Sequence, residues 1–205
     1  MGRRNEHSRE ELREMALEAA GALVAEQGFR GLSARKVAAA IGYTVGSLYL
    51  IFRNLDDLIL QLNARTLDQL YEALLTTRQD CSAPRDCLLA LGQRYIEFAR
   101  QHHHRWKLIF EHQLPPDQDL PPWYLERVSR TFELVQSQLQ ALAGPRSPRE
   151  LTLAAHALWS GVHGICVLSL DEKLDLAGHL SPEEVADSLV AHYLEGFTAS
   201  GPHSG

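Results

Sequence analysis

The chain has 205 residues, 20 Lys and Arg against 26 Asp and Glu, and a formal net charge of −6. That balance excludes bulk electrostatic attraction to nucleic acid, because phosphate binding draws on positive charge. With 45% hydrophobic and 22% charged residues, the composition also excludes a disordered chain, and this length buries roughly 70% of the unfolded surface as one large domain or two small ones.

The pattern is helical nearly throughout. Ser8-Arg9-Glu10-Glu11 is a capping-box start, in which a hydroxyl and a Glu three residues on satisfy free N–H groups. Leu12, Ala16, Ala19 and Leu23 then recur at helical spacing up to a stop at Gly28, with Phe29 folding back. Ser33 caps a short second helix, Ala34 to Ile41, ending at Gly42. Thr44 caps a third to about Phe52. Asn54 caps a fourth, in which Leu55, Leu58, Ile59, Leu62, Leu70 and Leu74 hold an apolar stripe to about residue 77. Ser82-Ala83-Pro84 opens a helix to about His103, with Leu88, Leu91, Tyr95 and Phe98 inward. A short helix around Trp106–His112 runs into a proline-dense loop, 114–122, and another helix spans Trp123 to Leu142. Ser147-Pro148-Arg149-Glu150 and Ser181-Pro182-Glu183-Glu184 each place a Ser cap, a Pro at the first helical position and a Glu at the third. They launch the last two helices, about 148–170 and 182–198, ahead of a frayed tail, 200–205. No alternating run or internal repeat is present, so the fold class is all-α with about nine helices.

Charge is distributed unevenly along this plan. Residues 1–55 hold eight basic side chains, Arg3 and Arg4 among them, and six acids, whereas the remainder holds 12 and 20. From Gly28 to Leu55 there are four basic residues and no acid. The same stretch has helix-turn-helix spacing: Val37 and Ile41 on the first helix face Leu48 and Ile51 on the second. Ala38 sits where the helices approach most closely, and Gly42 makes the turn. Thr44, Val45, Ser47 and Tyr49 lie on the outward face beside Arg35, Lys36 and Arg53, which suits a groove edge flanked by phosphates.

Residues 12–59 resemble the DNA-binding domain of the TetR family of bacterial transcriptional regulators. The matching features are Gly28-Phe29, Ser33, Val37-Ala38 with Gly42, Leu48-Tyr49-Leu50-Ile51-Phe52, and Leu55-Asp56-Asp57-Leu58. Trp159-Ser160-Gly161-Val162-His163-Gly164 resembles the Trp-His-Gly motif of one C-terminal subgroup. The family usually places a Ser-Lys pair after the recognition helix. Here Arg53-Asn54 stands instead, so Arg53 takes the phosphate contact and Asn54 the cap.

The resemblance implies a helix-turn-helix domain over residues 1–54 and a ligand-binding and dimerisation domain over 55–205. It implies a homodimer, a repressor by family default, bound to a palindromic double-stranded DNA operator and released by a small hydrophobic effector. Thr44, Val45 and Ser47 are expected near base edges, with Ser33, Arg35, Lys36, Tyr49 and Arg53 on phosphates or sugars. The last two helices are expected to dimerise through Leu158, Val162, Ile165, Leu189, Tyr193 and Phe197. Trp106, Phe110, Trp123, Tyr124, Phe132 and His163 are the ligand-binding candidates, although aromatic residues at helical spacing also fill cores.

Other chemistries have little footing. His102, His103 and His104 point about 100° apart on a helix, and His156 and His163 lack a completing ligand, so no metal or cofactor is expected. Cys81 and Cys87 are not a CxxC pair, and three cysteines with Cys166 cannot all pair within one chain. The phosphate-loop, dinucleotide, zinc-protease and nucleophile-elbow motifs are missing, so no enzyme is expected. The start of the chain lacks the apolar core of a secretory signal, and no run reaches about 20 uninterrupted apolar residues, so a cytoplasmic protein without a membrane partner is expected. The rival reading is a helical protein-interaction module, or a redox- or metal-sensing regulator without small-molecule control.

Overall fold

The structure, a computed structural model, describes residues 7–174 and 178–199. Arg3, Arg4 and the tail 200–205 lie outside the described residues. Nine α-helices and no strand occur among the described residues, in agreement with the all-α expectation.

Helix α1 (Arg9–Gln27) begins where Glu11 N–H donates to Ser8 Oγ at 3.1 Å and Ser8 N–H donates back to Glu11 Oε2 at 2.6 Å. It buries Leu12, Ala16, Leu17, Ala20 and Val24, so Ala19 and Leu23 flank the inward stripe instead of leading it. Gly28 ends the helix, and a single 3-10 turn, Phe29–Gly31, folds the chain back. Then come α2 (Ala34–Ala40), α3 (Val45–Leu48), α4 (Leu55–Gln79), α5 (Pro84–Gln101) and α6 (His103–Glu111). The remaining helices are α7 (Pro122–Ala143), α8 (Pro148–Leu170) and α9 (Pro182–Ala199).

Two boundaries differ from the sequence expectation. Regular α-helix in α3 ends at Leu48, four residues before Phe52. Beyond it Leu50 N–H bonds Ser47 O and Ile51 N–H bonds Leu48 O, a tighter winding that carries Phe52 into the core. Helix α6 starts at His103, ahead of Trp106, because Trp106 N–H already reaches His102 O at 2.8 Å.

The helices form two compact units. The first holds residues up to Leu67 together with His102–Tyr124. Its core joins Ala16, Val24, Val37, Ala38, Leu48, Phe52 and Ile59 with Leu108 from α6, which is completely buried. The second unit holds Asp68–Gln101 and the residues from Leu125 onward. There α5, α8 and α9 pack together. Gly92 of α5 leaves its neighbours Val162 and Val190 in van der Waals reach, and the Leu189 side chain of α9 lies over Gly161. By length and composition alone, α8 is apolar enough to cross a membrane, with a best-window mean hydropathy of 1.5. It buries Ala154, Ala155, Leu158, Val162, Ile165 and Cys166 within this unit.

Part of the expected dimer face is covered within the subunit. Leu158, Val162 and Ile165 are only 5%, 5% and 8% exposed, because α5 and α9 cover them. Tyr193 and Phe197 stack on each other and are half-buried, with Arg146 over the Phe197 ring. Leu189 remains exposed. The exposed face of α8 carries Leu153, Ala157, Ser160 and Leu168, with the half-buried Gly164 between them, at helical spacing.

The reciprocal caps carry a pH dependence. At the start of α9, Glu184 N–H donates to Ser181 Oγ and Ser181 N–H donates to Glu184 Oε2 at 3.0 Å. Hydrogen bonds from the Ser181 backbone and then its side chain hold the Glu184 carboxyl below its ordinary value of 4.5, and the same arrangement at Ser8 lowers Glu11. A depressed carboxylate contributes stability that is fully present above its unfolded value and is lost as pH falls through the folded one. Thermal melts of Glu184→Gln should therefore lose less stability than the parent as pH is lowered through and below 4.5.

Candidate nucleic-acid interface

The turn between α2 and α3 is built by local chemistry. Ser33 caps α2 by accepting from Lys36 N–H, and Thr44 caps α3 by accepting from Ser47 N–H. Between them Gly42 has φ of 75°, a left-handed backbone that a side chain would strain. Val37, Ala38, Leu48 and Phe52 are buried, and Ile41, Val45 and Ile51 pack against them from the edge.

The structure sorts the expected DNA-facing residues into three groups. Arg35, Lys36, Thr44, Tyr49 and Arg53 are exposed, with Tyr49 at 49%. Ser33 and Ser47 are half-buried, the former as a cap and the latter with its hydroxyl 3.0 Å from Thr44 Oγ1. Val45 leans against the core, so its side chain is only partly outward. Two exposed residues on the same rim escaped the sequence reading: Leu50, at 69%, and Gly46. A Cβ at Gly46 would meet only Thr44 Oγ1, at 3.6 Å, among the described residues, so none of them requires glycine there. The signal was a helix-weakening residue in the middle of a very short helix.

The four cations between Gly28 and Leu55, namely Arg30, Arg35, Lys36 and Arg53, are all exposed. Lys36 Nζ reaches Gln27 Oε1 at 2.9 Å, and the Arg53 side chain is 76% exposed with its Nε 3.6 Å from Asp57. Asn54 does cap α4, accepting from Asp57 N–H at 2.8 Å. Asp57 itself is 8% exposed and accepts from Arg53 N–H at 2.9 Å and from Gln61 Nε2 at 3.0 Å. Gln61 Oε1 in turn accepts from Arg13, whose guanidinium also donates to Ile51 O and lies over the Phe52 ring. The chain of bonds ties α1, the end of the α3 segment and the first turn of α4 together.

Comparison with known families agrees with this geometry. Residues 16–62 match the family model described as bacterial regulatory proteins, tetR family. Residues 88–193 match a tetracyclin repressor-like C-terminal domain, which is more than half of the chain. The chain belongs to the TetR family of transcriptional regulators. No curated protein matches it. Among solved structures, a Rhodococcus sp. RHA1 protein of unknown function is 23% identical, with TM-score 0.75 over 96% of this chain and 98% of that one. A TetR-family regulator from Streptomyces coelicolor is 21% identical, with TM-score 0.65 over 91% and 99%. PfmR from Thermus thermophilus, also a TetR-family regulator, is 18% identical, with TM-score 0.59 over 88% and 97%. At these identities the likeness shows the shared TetR fold.

The ligand-binding candidates of this TetR chain fall into two groups, one in each unit. In the first unit Trp106, 2% exposed, packs edge-on to Phe110 at 5.1 Å, and Trp123 packs on the buried Tyr124. In the second, Phe132 of α7 stacks on His156 at 4.3 Å and meets Trp159, which meets His163. Two residues overlooked as ligand candidates complete this second group. Trp159 Nε1 donates to Tyr95 Oη at 3.3 Å, and that hydroxyl lies 3.0 Å from His163 Nδ1. An indole N–H only donates, so Tyr95 Oη accepts it and has its own proton for His163. Burial lowers the His163 pKa, which favours the neutral ring this arrangement needs.

Cys81 and Cys166 lack the setting of a reactive thiol. Burial, followed by the neighbouring Cys87, pushes Cys81 up to about 11, and burial pushes Cys166 up to about 12. Among the described residues no group of three or more His, Cys, Asp or Glu is placed to hold a metal ion.

The Asp57 network yields a stability prediction. Asp57→Ala strips the partners of Arg53 N–H and Gln61, and should cost about 1–3 kcal/mol in chemical denaturation. Asp57→Asn keeps one acceptor and should cost less.

Proposed function

We propose that this regulator binds a palindromic operator as a homodimer and releases it on binding a small hydrophobic effector. The observation that carries the reading is the acid-free exposed rim of α3, flanked by Arg35, Lys36 and Arg53. Two copies place their α3 helices in successive major grooves, about 34–36 Å apart along the duplex. Thr44, Ser47 and the edge of Val45 lie toward base edges, while Ser33, Arg35, Lys36, Tyr49 and Arg53 hold phosphates and sugars. Phosphate contacts set the register and base contacts set the sequence. Gly46 lets the backbone of α3 approach the groove closely, a role that explains a residue the fold does not need. The family default of repression in the cytoplasm completes the reading.

Dimerisation is assigned to the open stripe of α8, Leu153 to Leu168, together with the exposed Leu189 of α9. A Cβ at Gly164 meets nothing within 4 Å in its own chain, which leaves room for a close helix from a second copy. Tyr193 and Phe197 border this face, whereas Leu158, Val162 and Ile165 support it from beneath. The effector binds within one unit, beside one of the two aromatic groups, and it acts by preferring a spacing of the reading heads that the operator does not fit.

Three measurements test the reading. Operator affinity of Arg35→Ala or Lys36→Ala should fall, and the slope of log affinity against log salt should shrink by about one for each lost phosphate contact. Unchanged affinity at every salt concentration contradicts the assignment. Gly46→Ala should stabilise the isolated protein by about 0.5–1 kcal/mol and yet weaken operator binding. Ala157→Glu, at the centre of the α8 stripe, should sediment as a monomer that keeps its helical content, and a persisting dimer places the interface elsewhere.

A further inference from the structure

The first unit contains a cavity of about 310 Å³ between α4, α6 and the proline-dense loop. That is near the lower end of the roughly 300–1,000 Å³ typical of small-molecule sites. Its apolar wall is Leu60, Ile109, Leu114 and Leu120, and its polar groups include Asn63, Gln118 and Tyr124. Lys, Arg, Asp and Glu do not line it. Its imidazole, His112, is engaged outside the cavity by Asp56 at 2.9 Å, with the edge of Phe29 against the ring.

Asn63 is 1% exposed and its polar atoms are unevenly matched. Its Nδ2 donates to Leu108 O at 3.5 Å, whereas Oδ1 meets no donor among the described residues. A buried carbonyl oxygen without a donor favours a guest that brings an N–H or O–H. A guest with a full charge would find no Lys, Arg, Asp or Glu among the lining residues and would lose its hydration. Apolar wall, unmatched acceptor and a lining without Lys, Arg, Asp or Glu thus favour one chemistry.

We infer that this cavity binds a neutral amphiphile, an apolar chain or ring carrying an uncharged amide-like head that donates to Asn63 and bonds Tyr124. The inference gives a site and a chemistry to the effector proposed above and rests on that reading for its regulatory meaning. His112 lies in the cavity wall and bonds Asp56 in the first turn of α4, next to Asp57. Occupation is thereby coupled through His112 and Asp56 to the first turn of α4, one residue from Asp57.

The test compares three probes with one body and different heads, titrated calorimetrically into the full-length protein: octanamide, octanoate and octylamine. Octanamide should saturate, with affinity at least about tenfold above that of the two charged probes. Gln118→Trp, a change in the exposed loop that leaves the core intact, should fill the cavity and reduce octanamide affinity by about tenfold or more. Asn63→Leu should do the same wherever its melting curve shows a folded protein. Octanamide that never saturates, that binds Gln118→Trp equally well, or that is matched by octanoate or octylamine overturns the assignment. Operator binding is read separately. Octanamide binding that leaves operator affinity untouched upholds the cavity and overturns the effector reading. A protein that selects no DNA sequence at all overturns the proposed function while the titration still decides the cavity.

Discussion

The reading head of this protein depends on a buried carboxylate. Asp57 sits in the first turn of α4, where unpaired N–H groups and the helix dipole favour negative charge. Its oxygens accept from the amide that directly follows Phe52 and from the Gln61 side chain, which in turn holds Arg13 of α1. The end of the α3 segment, the start of α4 and the middle of α1 therefore share one polar pivot beneath the exposed rim of α3. The hydrophobic core fixes how far α3 stands from α1. This pivot fixes the direction in which the chain leaves it.

Much of this was written locally in the chain. Ser8, Ser33, Thr44, Asn54, Ser147 and Ser181 all cap the helices they were expected to cap, because a cap needs only residues three or four apart. Gly42 was legible for the same reason. What stayed hidden depends on partners far along the chain. Phe52 is drawn into a core that includes Leu108, and no periodicity in 44–52 reports that pull. Helix α8 carries apolar residues on two faces, and spacing alone cannot say which face the subunit covers with α5 and α9. The choice of Leu158, Val162 and Ile165 as an outer face followed from that ambiguity. Tyr95 and Trp159 meet His163 from 68 and four residues away, so one bond was invisible and the other looked like ordinary helical spacing.

Charge tells a similar story of position against average. The net acidity lies outside Gly28–Leu55, while the exposed cations of that stretch surround α3. Salt bridges along α5 and α9, such as Arg85–Glu195 and Arg100–Glu183, are exposed and contribute little to stability individually. Within the second unit, cohesion comes from the buried faces of α5, α8 and α9. The unit can therefore carry an acidic surface without losing its fold.

The brevity of α3 has an evolutionary consequence. A helix of four residues cannot sustain itself, so its geometry is borrowed from Leu48, Phe52 and the Thr44 cap. Gly46, Tyr49 and Leu50 contribute almost nothing to that geometry and face outward. Folding does not hold those three positions to their present side chains, so replacements there change the outward surface at little cost in stability. Thr44 is not free in this way, since losing its hydroxyl loosens the frame that the other three rely on. Paralogues of such a protein can part company over the sequences they read while their architecture stays the same.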